Sequence, residues 1–128
     1  MKRIASGLIL LAGGLLATAA PAQNVAANYP NKPVRFGVPF TPGASNDIVA
    51  RLVAAKLGDA WNQQFIIDNR GGASGIVGSD VVAKSPADGY TFMIHSTTHV
   101  SNPHLYSKIP YDTMKDIIGI APLARQVG

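Results

Sequence analysis

An α/β fold built on a short parallel sheet is what the sequence predicts, and three observations predict it. Short β-type runs recur at Val34–Val38, Phe65–Ile67 and Tyr90–Ile94. Between them lie stretches with helical apolar spacing, and the links are short turns rich in Gly, Pro, Asn and Asp. Strand, helix, strand, helix, strand with such links is the pattern of right-handed parallel crossovers.

The chain has 128 residues and a mass of 13.4 kDa, room for one ordinary domain. Hydrophobic residues make up 47% and charged residues 14%, which excludes a disordered polyelectrolyte and a coiled coil. There is no cysteine, so disulfide scaffolds, thiolate metal sites and thiol nucleophiles are excluded together. The net charge of +4 falls to +2 without Lys2 and Arg3, and the remaining bases are spread along the chain. Nucleic-acid binding needs clustered bases, and Trp61 and the tyrosines follow no stacking order, so no nucleic-acid partner is expected.

The elements follow in order. Met1-Lys2-Arg3 is a positive start, Ile4 to Ala20 is almost wholly apolar, and Ala20-Pro21-Ala22 has the small-x-small form of a cleavage site. The apolar run is shorter than the ~20 residues of a bilayer span and ends without a charged stop. A signal peptide over residues 1–22 is therefore expected, with Gln23 first in the mature chain. That chain would be periplasmic, with no stable membrane insertion after cleavage. Residues 23–33 are small and polar with Pro30 and Pro33, and read as a mobile lead-in to a partial α/β lobe over residues 34–128.

Val34–Val38 is a strand stopped by Pro39, and Pro42 to Asn46 is a turn in which Ser45 or Asn46 would cap a helix. From Asp47, apolar residues at Ile48, Val49, Leu52, Val53 and Leu57 predict a one-sided helix that Gly58 would stop. Phe65–Ile67 is a buried strand, Asn69 to Gly75 a glycine-rich turn, and Ile76 to Lys84 a second helix. Tyr90–Ile94 is the third strand, followed by a loop over Ser96–Asn102. His104 to Asp116 reads as irregular, and Ile117 to Leu123 as a further strand or a link.

In a parallel sheet the loops leaving the C-terminal strand ends share one edge, where ligands bind. The first of these, Thr41 to Asp47, places backbone N–H groups and hydroxyls at a helix start, which suits a carboxylate or phosphate. The competing reading is structural: Gly43 allows the turn and Ser45 caps the helix. Neither the dinucleotide glycine fingerprint nor the Gly-Lys-Ser/Thr phosphate loop is present. Ser45 also brushes against a hydrolase nucleophile elbow, but Asp47 stands where the elbow wants glycine, and no spacing directs His95, His99 or His104 to it. The three histidines invite a zinc reading that the absence of Glu weakens, so neither metal nor cofactor is expected. Arg70 in the second loop could pair with a substrate carboxylate or tie down a neighbouring loop.

Certain runs carry more when taken together. They are Tyr29 to Arg35, Val38 to Ala44, Asp47 to Arg51, Asp68-Asn69-Arg70 with the glycines to Gly78, and Ala83-Lys84. They continue through Ala87 to Thr91, His99, Asn102-Pro103, Leu105-Tyr106, Ile109 to Asp112 and Lys115-Asp116. In this order and spacing the chain resembles the opening of Bug-type solute-binding proteins, the extracytoplasmic receptors of tripartite tricarboxylate transporters. The resemblance implies the βαβαβ beginning of lobe 1 of a periplasmic-binding-protein fold (type II-like), with the second lobe absent. It implies a receptor rather than an enzyme, a small carboxylate ligand, and membrane transporter components as partners.

Carried over residue by residue, the resemblance assigns ligand contact to Phe40, Thr41, Gly43, Ala44, Ser45 and Asp47. It adds Ser96, Thr97 and Thr98 in the third loop, and Gly72 and Gly75 in the second. Three positions depart from the family: Ala44 and Ser74 where glycine is usual, and Gly71-Gly72 where Pro-Gly is usual. The length also departs, so a truncated product or partial sequence that binds weakly is expected. The alternatives are a secreted hydrolase using Ser45 and a non-functional remnant.

Overall fold

The structure, a computed structural model, describes residues 28–125. The expected signal peptide and its cleavage point, and residues 23–27 of the lead-in, lie outside the described residues. A parallel three-stranded sheet is formed by β1 (Val34–Val38), β2 (Phe65–Asn69) and β3 (Thr91–Met93), in the order β2-β1-β3. Val34 pairs with Phe65 and Val38 with Asn69 on one side of β1, and Arg35 pairs with Thr91 on the other. The helices are α1 (Ser45–Trp61), α2 (Ile76–Ala83) and α3 (Thr98–Leu105).

Alternate residues of a strand face opposite sides, and each side of β1 meets a different helix. Val34, Phe36 and Val38 are buried with Ala50 and Ala54 of α1 and with Ile94. Phe36 is the centre of this core, with its ring 5.1 Å from that of Phe65 and 6.1 Å from that of Phe92. On the other side a Cβ at Gly37 would lie 2.5 Å from Val82 of α2, so α2 sits close against the strand there. The chain thus winds out from β1 through α1 to β2, then back across through α2 to β3. The winding direction reverses between β1 and β3, and in open α/β sheets that reversal opens a crevice at the C-terminal strand ends.

Several expectations are corrected. Neither Ser45 nor Asn46 caps α1; Ala44 is the N-cap with no side-chain cap bond, and Ser45 is the first helical residue. The helix runs through Gly58 and ends at Asn62 in the left-handed conformation, which asparagine tolerates. Ile48 and Leu52 point outward, 53% and 65% exposed, because the sheet is met by the small Ala50–Ala54 stripe together with Val53 and Leu57. The expected third loop is largely the helix α3, which includes Pro103. Among the described residues no strand forms after β3.

The end of the lead-in packs on the body of the fold. The Tyr29 hydroxyl donates to the Gly89 carbonyl at 2.6 Å, and its ring packs against Trp61 and Tyr90. Lys32 pairs with Asp88 at 3.0 Å and lies over the Tyr90 ring. An aromatic side chain with a polar tip anchors the strand entry there. Among the described residues no helix is long and apolar enough to cross a membrane.

Candidate functional site

Loop 1 (residues 39–44) leaves β1 and enters α1. Gly43 adopts a φ of 84°, and the Ala44 N–H donates to the Thr41 carbonyl at 3.2 Å, so the loop is a tight turn. The first-turn amides of an α-helix have no partner within the helix. In α1 no side chain caps them. The amides of Ser45 and Asn46 therefore face the loop as open donors beside the hydroxyls of Thr41 and Ser45.

Asp47 lies beneath this rim, only 2% exposed. Its carboxylate accepts from the Gly43 N–H at 2.8 Å, Arg51 Nε at 3.0 Å and Asn69 Nδ2 at 3.0 Å. Arg51, the Gly43 amide and, to a lesser degree, Asn69 hold its pKa down at about 2, against the effect of burial. Asp47 is thus the fastener of loop 1, and its charge is met by Arg51. Asn69 also donates to the Phe40 carbonyl at 3.2 Å, linking the end of β2 to the same loop. Arg51 and Asn69 were not among the site residues expected from sequence, although both sit in the runs that carried the resemblance.

Loop 2 (residues 70–75) lies against loop 1: a Cβ at Gly71 would be 3.5 Å from Thr41 Cγ2. Arg70, half-exposed, is paired with Asp68 at 3.0 Å, so it holds its own strand. Gly72 has a φ of 130° and Gly75 of 89°, both in the region that favours glycine. Gly75 is buried against loop 3, where a Cβ would come within 2.7 Å of His95 Nε2.

Loop 3 (residues 94–97) leads into α3. His95 Nδ1 lies 2.8 Å from the Ser96 amide nitrogen and 3.0 Å from the Ser96 carbonyl oxygen. Ser96 Oγ is 3.0 Å from Thr98 Oγ1, and Thr97 is the N-cap of α3 with no side-chain cap bond. The His95 ring packs edge-on to Phe40 at 5.1 Å and lies 5.1 Å from His99, which stacks on Tyr111. The structure therefore brings loops 1, 2 and 3 to one edge, around His95. Phe40, Thr41, Gly43, Ala44, Ser45, Ser96, Thr97 and Thr98 lie in the segments that follow β1 and β3, and Gly72 and Gly75 in the loop after β2. His95 and Asn102 are the organisers that sequence reasoning passed over. Two shallow grooves, about 320 and 420 Å³, lie elsewhere, beside Arg35 and Tyr90 and behind Tyr106 and Tyr111. Among the described residues no group of three or more His, Asp or Glu could hold a metal ion.

Burial pushes the His95 pKa down to about 4, and burial also lowers that of His99. An unfolded histidine near 6.5 takes up a proton first, so stability is complete above that pH and falls as pH drops from 6.5 towards 4. Asp47 adds a second loss between about 3.8 and 2. Urea unfolding at a series of pH values is expected to show the first loss, and His95→Asn is expected to flatten it. An equal slope in wild type and variant would remove His95 from the account.

A family model, the tripartite tricarboxylate transporter family receptor, matches residues 49–127. Protein BugT of Bordetella pertussis is 38% identical over 117 residues, covering 89% of this chain and 36% of that protein. The UPF0065 protein of the tcbD-tcbE intergenic region of Pseudomonas sp. (strain P51) is 36% identical over 119 residues, 93% of this chain and 34% of that one. Among solved structures, "R. palustris Rpa4515 with adipate" is 45% identical with a TM-score of 0.63, over 66% of this chain and 29% of that one. One described as a periplasmic transporter is 40% identical with a TM-score of 0.65, over 68% of this chain and 30% of that one. The chain spans about a third of the length of the curated relatives it matches. The matching family is one of receptors, not enzymes, which sets aside the hydrolase reading of Ser45. With its β2-β1-β3 parallel sheet, its three-loop edge and a family match over more than half its residues, this chain belongs to the tripartite tricarboxylate transporter receptor family.

Proposed function

We propose that this chain is the ligand-facing opening of a periplasmic solute receptor that binds a small carboxylate for a tripartite tricarboxylate-type membrane transporter. Residues 1–22 direct export, and the partial lobe over residues 34–128 carries the site. The carboxylate lies on the C-terminal sheet edge between loop 1 and the start of α3. The observation that carries this reading is the uncapped start of α1 at the switch between β1 and β3. Its open amides and positive dipole end favour an anion, and the Thr41, Ser45, Ser96 and Thr98 hydroxyls add donors. No bond is made or broken; recognition is by oriented donors, direct or through water. The solved relative that holds adipate supports the ligand class.

The described residues meet a ligand from one side, so water and salt screen its charge and the expected affinity is weak. Titration with adipate, followed by amide NMR, is expected to shift residues 40–47 and 96–98 together. Gly43→Val is expected to abolish the response. A Cβ there would touch nothing within 4 Å, so the effect comes from the φ of 84°, not from crowding. Left-handed backbone costs about 1–2 kcal/mol for an L-residue, enough to unmake a surface turn. Shifts that avoid both segments, or a normal response in a folded Gly43→Val variant, would refute the site.

A further inference from the structure

The turn at Gly72–Gly75 holds four consecutive residues at positive φ: 130°, 46°, 54° and 89°. Glycine adopts such angles freely, but Ala73 and Ser74 do not, because their Cβ crowds the following carbonyl. Two adjacent L-residues therefore keep a conformation that their own preferences oppose. Within the turn, the Gly75 N–H donates to the Gly72 carbonyl at 2.9 Å. Gly75 also packs on His95 and Pro39, and the side-chain hydrogen bonds to the turn come from α3 and its C-cap. Asn102 is fully buried, and its Nδ2 donates to the Ser74 carbonyl at 3.0 Å. The Tyr106 hydroxyl, one turn on, is 2.9 Å from Ser74 Oγ. These two partners come from α3 and from its C-cap residue and meet one residue of the turn.

We propose that α3 is a latch for loop 2, with Asn102 as the positioning residue and Tyr106 in support. Strained backbone persists only where its surroundings over-determine it. Here loop 3 packs on Gly75, while α3 and its C-cap supply the hydrogen bonds to Ser74, so the Ser74 end of loop 2 has two states: left-handed with α3 seated, and relaxed with α3 released. The consequence for binding rests on the carboxylate reading above. A ligand seated at Ser96–Thr98, where α3 begins, favours the docked helix and through it the left-handed loop. The latch itself is independent of any ligand.

Amide hydrogen exchange of the full chain without ligand tests it. Asn102→Ala is expected to speed exchange at the Gly75 amide on the order of tenfold, relative to the Phe36 amide in β1. In an Ala73→Gly, Ser74→Gly background, where both strained positions are glycine, the same substitution is expected to have little effect. Tyr106→Phe removes one exposed hydroxyl and is expected to act in the same direction by a smaller factor, with Phe36 unchanged. Equal acceleration in both backgrounds would make Asn102 a packing residue only and overturn the latch. If Asn102→Ala unfolds the chain, Tyr106→Phe decides, and no local change at Gly75 overturns the proposal. No ligand enters the measurement, so its outcome stands whether or not adipate binds.

Discussion

Replacing Gly78 by alanine is expected to destabilise the chain by about 1–3 kcal/mol, the range for forcing a methyl into a packed site. Gly78 is where α2 rests on loops 1 and 2. A Cβ there would lie 2.5 Å from the Arg70 carbonyl oxygen and 2.7 Å from Pro39 Cα and Cβ. These are backbone and ring atoms that cannot swing aside, so α2 must lift off both loops. The sign is diagnostic, because in an exposed helix the same change stabilises by up to about 1 kcal/mol. Steric conflict outweighs propensity only if the helix really sits this close. Unfolding in urea, read by the single Trp61, gives the stability, and the adipate response should fall with it. A Gly78→Ala variant as stable as wild type would mean that α2 is not packed on the loops.

Phe36→Ala is expected to be more damaging, costing about 3–5 kcal/mol, as large-to-small changes at buried phenylalanines do. The ring is 5% exposed and touches aromatic neighbours on both flanking strands, so its loss leaves a cavity between all three. A domain of this size has a total stability of roughly 5–15 kcal/mol, and the variant should be largely unfolded at modest denaturant. The same urea titration checks it. A loss below about 1 kcal/mol would place Phe36 outside the core.

The three strands and first two helices were legible because each is a local pattern. The β-type runs at Val34, Phe65 and Tyr90 match the strands to within a residue or two at each end, and the glycine-rich links mark the turns. The loop residues of the candidate site were legible for the same reason: they are what lies between those runs. The family resemblance, carried by motif order, agrees with the family match.

Other features depended on contacts between residues far apart in the chain. Spacing could not tell that α1 turns Ala50 and Ala54 inward and leaves Ile48 and Leu52 outside, because helix rotation is set by how closely the sheet must be approached. The helix α3 was hidden by Thr98, His99, Val100, Asn102 and Pro103, weak helix formers and a breaker, and its docking includes Asn102 bonded to Ser74, 28 residues earlier. The resemblance assigned Asp47 to ligand contact. Only the fold shows it buried and fastened by Gly43, Arg51 and Asn69. Sequence by itself determined which segments are strands, helices and turns, since those preferences are local. Tertiary structure decided strand order, the buried faces and which loops meet at His95, since burial and hydrogen-bond partners exist only once distant segments pack.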